Sequence, residues 1–264
     1  MITLGFSPCP NDTFIFDALV HHKVDTEGLS FETRMEDVET LNTLAMHEKL
    51  DMVKVSYHAF LYLSDRYEML RSGSAIGFGA GPLLISKEHH SLEELSGLTV
   101  AIPGEYTTAH LLLKMAVPAV KKKIILVFNE IEDAILSGSA DAGVIIHENR
   151  FTYQQKGLKK ILDLGEYWES VTHSPIPLGG IAVNKNLGIE TISKLNRIMR
   201  RSVDYAHEHP EDVMGFVRCH AQEMDEEVMK KHIALYVNPY TTDLGIEGNL
   251  AIQHLFNYFK FSIP

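Results

Sequence analysis

The sequence predicts an α/β protein built of two similar lobes, with a ligand-binding cleft between them. The first observation is an order of elements (strand, turn, helix, strand, helix, strand) that occurs within residues 2–57 and again within residues 98–147. The second is that each unit closes on an apolar strand with a polar tip, a pattern typical of parallel sheets covered on both faces. Ligands of open α/β sheets bind outside the carboxyl ends of the strands, so both tips are expected to face one cleft.

The first unit contains three predicted strands separated by two helices. A dense group of turn-forming residues follows the first strand at residues 7–12, and Asn11, Asp12 or Thr13 is suited to cap the next helix. The helix after the second strand has its apolar residues at helical spacing. The predicted strands cover residues 2–6, 29–33 and 51–57, and the helices include residues 14–19 and 37–46.

The second unit repeats this order. After a break at residues 103–105, Thr107 or Thr108 is suited to cap a helix. The helix starts of both units offer free backbone N–H groups and positive partial charge, which favour binding of a carboxylate or phosphate; simple capping is the alternative. The predicted strands cover residues 98–102, 123–128 and 141–147, and the helices include residues 111–116 and 130–136.

The connections between the units predict how the chain divides into lobes. Residues 79–87 and 178–185 each contain two glycines, an apolar run and then a lysine, which we interpret as two antiparallel hinge strands crossing between the lobes. The final predicted helix, at residues 250–259, is expected to pack back on the first lobe. The predicted division is lobe one, residues 1–87 and 180–264, and lobe two, residues 88–179.

Composition and charge narrow the classes of partner. The chain has 264 residues, of which 45% are hydrophobic and 22% charged, an ordinary globular mixture. Its net charge of −11 argues against nucleic acid or an anionic membrane surface as a partner, since either requires a cationic face. A small anionic ligand held by local donors is still permitted. We therefore expect a small-molecule anionic substrate, no nucleic acid and no membrane; the oligomeric state is left open.

The cysteines and the first residues of the chain indicate a cytoplasmic location. Cys9 and Cys219 are too few and too far apart for a disulfide framework, which suits a reducing compartment. Residues 1–8 lack the cationic start and the apolar run of a signal peptide. No stretch approaches the roughly 20 apolar residues of a membrane span.

His147 is the leading candidate for a functional side chain. It follows the apolar residues 143–146 at the tip of the last strand of the second unit. A solvated loop histidine is the alternative, and the position at the predicted cleft favours a function. Glu148 is expected to point away from the cleft, because successive strand residues alternate faces. Cys9 precedes a helix start, where the pKa of a thiol can fall, so a nucleophilic role and a structural role both remain open.

Four segments together resemble the menaquinone-biosynthesis family that makes 1,4-dihydroxy-6-naphthoate. The resemblance covers essentially the whole chain. It implies a two-lobed, periplasmic-binding-protein-like fold of type II, a cytoplasmic enzyme, and no metal or organic cofactor. The segments are Ser-Pro-Cys-Pro-Asn-Asp-Thr-Phe at residues 7–14, Lys-Val-Ser-Tyr at 54–57, Pro-Gly with Thr-Thr within 103–108, and Gly-Val-Ile-Ile-His-Glu at 143–148.

The resemblance also implies a reaction and a set of site residues. Members of the family are carbon–carbon lyases that act on cyclic dehypoxanthine futalosine and release the naphthoate. His147 matches their proton acceptor. A histidine has an unperturbed pKa of about 6.5, so the rate is expected to fall as pH drops through about 6. The residues that match the substrate-contacting segments of the family are Val55, Ser56, Tyr57, Thr107 and Thr108.

Two other functions remain open at the level of sequence. One is chorismate dehydratase, which belongs to the same pathway and shares the fold. The histidine at the second strand tip and the Pro-Cys-Pro-Asn-Asp motif favour the naphthoate-forming lyase over it. The other is a non-catalytic cytoplasmic solute-binding protein, against which the lack of a signal peptide or lipid-anchor cysteine counts.

Overall fold

The computed structural model describes residues 1–88, 90–221 and 225–262, which form two β-sheets flanked by helices. In chain order, the strands are β1 (Ile2–Phe6), β2 (Phe31–Met35), β3 (Met52–Ser56), β4 (Tyr67–Met69), β5 (Ala75–Gly77), β6 (Leu83–Ser86), β7 (Thr99–Ile102), β8 (Lys122–Ile125), β9 (Ala142–Ile145), β10 (Lys159–Asp163) and β11 (Ile176–Asn184).

The helices occupy the connections and most of the last third of the chain. None within the described residues is both long enough and apolar enough to cross a bilayer. In chain order they are α1 (Pro10–Val20), α2 (Val38–Met46), α3 (Tyr57–Phe60), α4 (Thr108–Ala116), α5 (Ile131–Ser137), α6 (Asn149–Thr152), α7 (Leu164–Thr172), α8 (Ile189–Glu208), α9 (Pro210–His220), α10 (Glu226–Tyr236), α11 (Pro239–Thr242) and α12 (Gly245–Ser262).

The two sheets contain the same parallel unit, as the repeated order of elements predicted. In the first sheet β1 pairs in parallel with β2 and β3. In the second sheet β7 pairs in parallel with β8 and β9. Every residue of β3 and of β9 is buried, because helices cover both faces of these central strands. The carboxyl ends of β3 and β9 therefore lie at corresponding places in the two units.

An antiparallel strand extends each parallel unit. In the first sheet, whose order is β2-β1-β3-β11-β4, β11 pairs antiparallel with β3, with β4 and with β5. In the second sheet, ordered β10-β6-β9-β7-β8, β6 pairs antiparallel with β9 and β10. The predicted hinge segments at residues 79–87 and 178–185 thus contribute β6 and β11 to different sheets, and the chain crosses from one sheet to the other within the first segment. Their role as hinges stays a prediction.

The division into two lobes at residues 87 and 179 stays a prediction. Because β6 belongs to the second sheet and β11 to the first, sheet membership favours limits a few residues earlier. The chain changes sheets between β5 and β6, and it returns between α7 and β11.

The C-terminal helices cover both sheets. Helices α8, α9 and α10 pack against α1 in the core of the first sheet. Helix α12 was expected to pack on the first lobe, and it contacts elements beside both sheets. The ring of Phe256 lies 6.2 Å from that of Phe60, which follows β3, while the ring of Tyr258 lies 6.2 Å from that of Trp168 in α7. The helix has apolar residues on more than one face, so it requires covering on more than one side.

Candidate active site

A cleft lies between the strand tips of the two units. It encloses about 670 Å³, including the part that is open to solvent. Its walls are mostly apolar, with a small number of polar groups, which is typical of sites for small molecules. The polar side chains that line it are those of Ser7, Asn11, Asp12, Lys54, Ser56, Thr107, Thr108, His147 and Tyr236.

His147 enters the cleft through a turn in the backbone. Strand β9 ends at Ile145, and His147 follows with a φ of 59°, in the left-handed region. Non-glycine residues are uncommon there, although histidine, asparagine and aspartate are enriched among them. The turn takes the chain out of the sheet before α6 begins at Asn149, and it places the imidazole against the cavity.

The surroundings of His147 keep its imidazole neutral. The ring lies 4.9 Å from the ring of Phe128 and 6.1 Å from that of His232. Burial lowers the pKa of His147 to about 4, although the Asp12 carboxylate acts in the opposite direction. Its Nε2 atom is buried and has no hydrogen-bond partner among the described residues. A neutral imidazole with an unengaged nitrogen beside a cavity is able to accept a proton from a ligand.

Glu148 does not point away from this histidine. Because the strand ends at Ile145, strand alternation does not apply to residues 147 and 148. One potential ligand atom from each of Cys9, His147 and Glu148 lies within 4.8 Å of the others. The sequence argument failed here because it extended the strand two residues too far.

Cys9 is a neutral thiol in this cluster. Burial, followed by the nearby Glu148 carboxylate, raises the pKa of the Cys9 thiol well above its ordinary value. The nucleophilic role left open by the sequence is therefore disfavoured. Cys9, His147 and Glu148 are also the residues that could hold a metal ion in the described part of the cleft, but a thiolate ligand would have to form against the raised pKa of Cys9.

Ser56 and Val55 form the facing wall at the tip of β3. Both are buried and line the cavity. The Ser56 N–H donates to Oδ1 of Asn42 at 2.9 Å, and Nδ2 of Asn42 donates to the Ser56 hydroxyl at 3.3 Å. Asn42 comes from α2, so a helix side chain holds the strand tip in place.

Tyr57 is placed differently from its neighbours. It begins α3, is fully buried and does not line the cavity. Its hydroxyl lies 2.7 Å from that of Ser74, and burial raises the pKa of the phenol above its ordinary range. The chain changes from strand to helix after Ser56, and the Tyr57 phenol is buried in the core. A contact between Tyr57 and a substrate stays a prediction.

A buried ion pair was not predicted from the sequence. Nζ of Lys54 donates to Oδ1 of Asp12 at 2.7 Å, and the two side chains are 8% and 2% exposed. Oδ2 of Asp12 accepts from the hydroxyl of Ser7 at 2.7 Å, and Asn11 donates to Oδ1 at 2.9 Å. Both partners line the cavity, so they present a fixed, mutually neutralised polar wall.

The start of α1 also differs from the prediction. Helix α1 begins at Pro10 with Cys9 in the N-cap position, and no side chain caps it. Asp12 does not cap the helix because its carboxylate is committed to Lys54 and Ser7. Lys54 and Asp12 both occur in the segments that carried the family resemblance, so the sequence could have indicated that they belong to the site. The sequence does not show that they form a pair.

Thr107 and Thr108 lie at the start of α4, as predicted. Thr107 is the N-cap, and its hydroxyl accepts from the N–H of His110 at 3.2 Å and donates to the carbonyl of Gly104 at 2.9 Å. The Thr108 hydroxyl donates to the carbonyl of Leu178 at 2.8 Å. Both hydroxyls thus have protein partners. The first turn of a helix leaves backbone N–H groups without intrahelical acceptors, so an anion at this wall would meet those groups.

Comparison with known proteins places the chain in a family. The profile of a family described as menaquinone biosynthesis matches residues 2–260. The chain belongs to this menaquinone biosynthesis family. It is 45% identical over 259 residues to a 1,4-dihydroxy-6-naphthoate synthase of Thermus thermophilus, covering 97% of this chain and 92% of that protein. It is 42% identical over 259 residues to the synthase of the same name from Streptomyces coelicolor, covering 96% of this chain and 91% of that protein.

Solved structures confirm the predicted fold class of this family member. A crystal structure of a protein from Archaeoglobus fulgidus superposes with a TM-score of 0.93 at 35% identity, covering 99% of this chain and 97% of that one. The periplasmic aliphatic sulphonate binding protein of Escherichia coli superposes with a TM-score of 0.68 at 11% identity, covering 99% of this chain and 87% of that one. The second likeness concerns the fold alone, which is the two-lobed fold of periplasmic binding proteins.

Proposed function

We propose that this protein is a carbon–carbon lyase that converts cyclic dehypoxanthine futalosine into 1,4-dihydroxy-6-naphthoate. Family membership and the two curated synthases support the reaction. The observation that carries the proposal in the structure is the buried Nε2 atom of His147, which has no hydrogen-bond partner among the described residues and belongs to a side chain that lines the cleft.

His147 is the proton acceptor of this proposal. Formation of an aromatic product by ring cleavage requires a proton to leave the substrate. The electron pair left behind then drives cleavage of the carbon–carbon bond and aromatisation. The lowered pKa keeps the imidazole unprotonated at neutral pH, so His147 accepts the proton without first losing its own.

The remaining walls suit the parts of such a substrate. Val38, Val55 and Ile146 offer apolar surface to a bicyclic aromatic ring system. The helix start at Thr107 and Thr108 offers backbone N–H groups to a carboxylate. Ser56 and the backbone around Tyr57 contribute the contacts of the β3 tip, and the Asp12–Lys54 pair offers polar atoms to hydroxyl groups.

The proposal includes a cellular location for the protein and a type of ligand. Both cysteines are free, Cys9 buried and Cys219 exposed, which supports work in the reducing cytoplasm. The ligand is a small anion held at the start of α4. The two sheets are proposed as lobes that close over it, so that water is excluded from the imidazole.

The proposal is tested by incubating the purified protein with cyclic dehypoxanthine futalosine and analysing the products by mass spectrometry. We expect 1,4-dihydroxy-6-naphthoate to accumulate in proportion to enzyme. A second incubation with chorismate tests the dehydratase alternative. Turnover of chorismate, or binding of the futalosine derivative without any turnover, would overturn the proposal in favour of the dehydratase or the solute-binding protein.

A further inference from the structure

A carboxylate of the first unit accepts hydrogen bonds from the backbone of the second unit next to the site. Glu39 belongs to α2, and its Oε1 and Oε2 atoms accept from the backbone N–H of Tyr106 at 3.0 and 3.2 Å. The backbone N–H of Glu105 is a further donor to this carboxylate. Tyr106 directly precedes Thr107, the N-cap of α4. The side chain of Glu39 therefore ends on the turn that presents the proposed anion-binding helix start.

Gly104 makes this approach possible. Its φ is +154°, and a Cβ atom at this position would overlap the carboxyl group of Glu39. With no side chain at residue 104, Glu39 can reach the backbone of the turn. Burial raises the pKa of the Glu39 carboxyl, while the hydrogen bonds from Tyr106, Asn42 and Glu105 act in the opposite direction and favour the charged form.

Glu39 is also tied to the opposite wall of the cleft. Nδ2 of the buried Asn42 donates to Oε2 of Glu39 at 3.1 Å and to the hydroxyl of Ser56 at 3.3 Å. Oδ1 of Asn42 accepts from the N–H of Ser56. One chain of hydrogen bonds thus runs from the β3 tip, through Asn42 and Glu39, to the turn ahead of Thr107.

We propose that Glu39 is a positioning residue that joins the two walls and holds them at the separation that the substrate requires. Glu39 does not line the cavity. It acts by fixing the position of the start of α4 relative to Ser56. Without it, the two halves of the binding site are still present, but they are no longer held at one fixed separation. The inference rests on the proposed function, because it concerns the same site and the same anionic ligand.

The test compares Glu39→Ala and Glu39→Gln with the wild type. Alanine removes both acceptors. Glutamine keeps the shape but places an NH₂ group against either Tyr106 or Asn42, both of which are donors. Glu32→Gln is the matched control, because it makes the same charge change on an exposed position of β2. The probe is 1,4-dihydroxy-6-naphthoate, whose dissociation constant is measured by calorimetry and whose effect on the radius of gyration is measured by small-angle scattering.

We expect the dissociation constant to rise roughly tenfold in Glu39→Ala and less in Glu39→Gln, since hydrogen bonds to a charged group are lost. The naphthoate concentration that compacts the protein should rise by the same factor. KM should rise more than kcat falls. The pH profile of the single-turnover rate should keep its midpoint, because His147 is untouched, and Glu32→Gln should behave as the wild type.

Unchanged binding and compaction in Glu39→Ala would overturn this inference while leaving the lyase intact. A large shift of the pH midpoint would also overturn it, since Glu39 would then act on the chemistry itself. If the alanine variant does not fold, the glutamine variant decides by the same measurements. Absence of turnover of the futalosine derivative in the wild type would instead overturn the proposed function, whatever the naphthoate binding data show.

Discussion

The two strand tips that face each other across the cleft differ in how their polar groups are satisfied. At the tip of β3, Ser56 is held by Asn42, and nearby Lys54 and Asp12 neutralise each other. At the tip of β9, the chain makes a left-handed turn and leaves Nε2 of His147 without a partner among the described residues. The two similar units therefore differ at their tips: the polar side chains at the first have protein partners, and the second has the unpartnered imidazole nitrogen that we propose as the proton acceptor.

The largest expected effect tests the role of His147 at the tip of β9. Replacing His147 by Asn should lower the single-turnover rate by about 10²–10⁴-fold, the usual contribution of a general base. The fold should survive, because asparagine tolerates the left-handed conformation at this position. His173→Asn is the control, since His173 has a φ of 53° at the end of α7 but does not line the cavity. Near-normal turnover in His147→Asn would make His147 a binding residue.

The next largest effect tests the buried ion pair of Lys54 and Asp12 near the tip of β3. Lys54→Met should destabilise the protein by about 3–5 kcal/mol, because it leaves the Asp12 carboxylate buried without its counter-charge. The double variant Lys54→Met with Asp12→Asn should recover much of this loss. Denaturant unfolding provides the measurement.

The exposed pair of Arg200 and Asp204 supplies the control for this experiment. Its side chains are 45% and 43% exposed, so Arg200→Met should cost less than about 1 kcal/mol. If Lys54→Met and Arg200→Met lowered the free energy of unfolding equally, burial would not distinguish the two ion pairs. The description of Lys54 and Asp12 as a buried pair that stabilises the cleft wall would then be wrong.

The pH dependence of the rate sharpens the comparison. A base must be unprotonated to act, and burial lowers the pKa of His147 to about 4. The single-turnover rate should therefore stay flat from pH 8 to pH 5 and fall only as pH approaches 4, where the imidazole becomes protonated. This revises the expectation of a fall near pH 6, which assumed an unperturbed histidine. A midpoint near 6 in stopped-flow measurements would mean that the imidazole is solvated when it reacts.

The smallest effect concerns the start of α4. Thr107→Val removes the N-cap hydroxyl, which should cost about 1 kcal/mol of stability and weaken naphthoate binding several-fold as the first turn loosens. Thr107→Ser keeps the hydroxyl and should behave nearly as the wild type in both measurements. Loss of binding in the serine variant as well would point to a contact made by the threonine methyl group.

The sequence by itself determined the fold class and indicated which side chains line the cleft. The repeated order of elements and the apolar runs at β3 and β9 depend on local secondary-structure preference and on burial. Both properties are visible in the spacing of apolar residues along the chain. The capping of α4 by Thr107 could be read in the same way, because a cap involves neighbouring residues. The position of His147 beside the cavity followed from the end of a buried strand.

Only the tertiary structure decided which polar groups are engaged. The pairing of Lys54 with Asp12, the burial of Tyr57 and the reach of Glu39 to the turn before α4 join segments 17 to 67 residues apart. The lowered pKa of His147 depends likewise on the rings and backbone packed around it. Desolvation and hydrogen bonding depend on which groups are close in space. The sequence predicts such proximity only for residues that are also close along the chain.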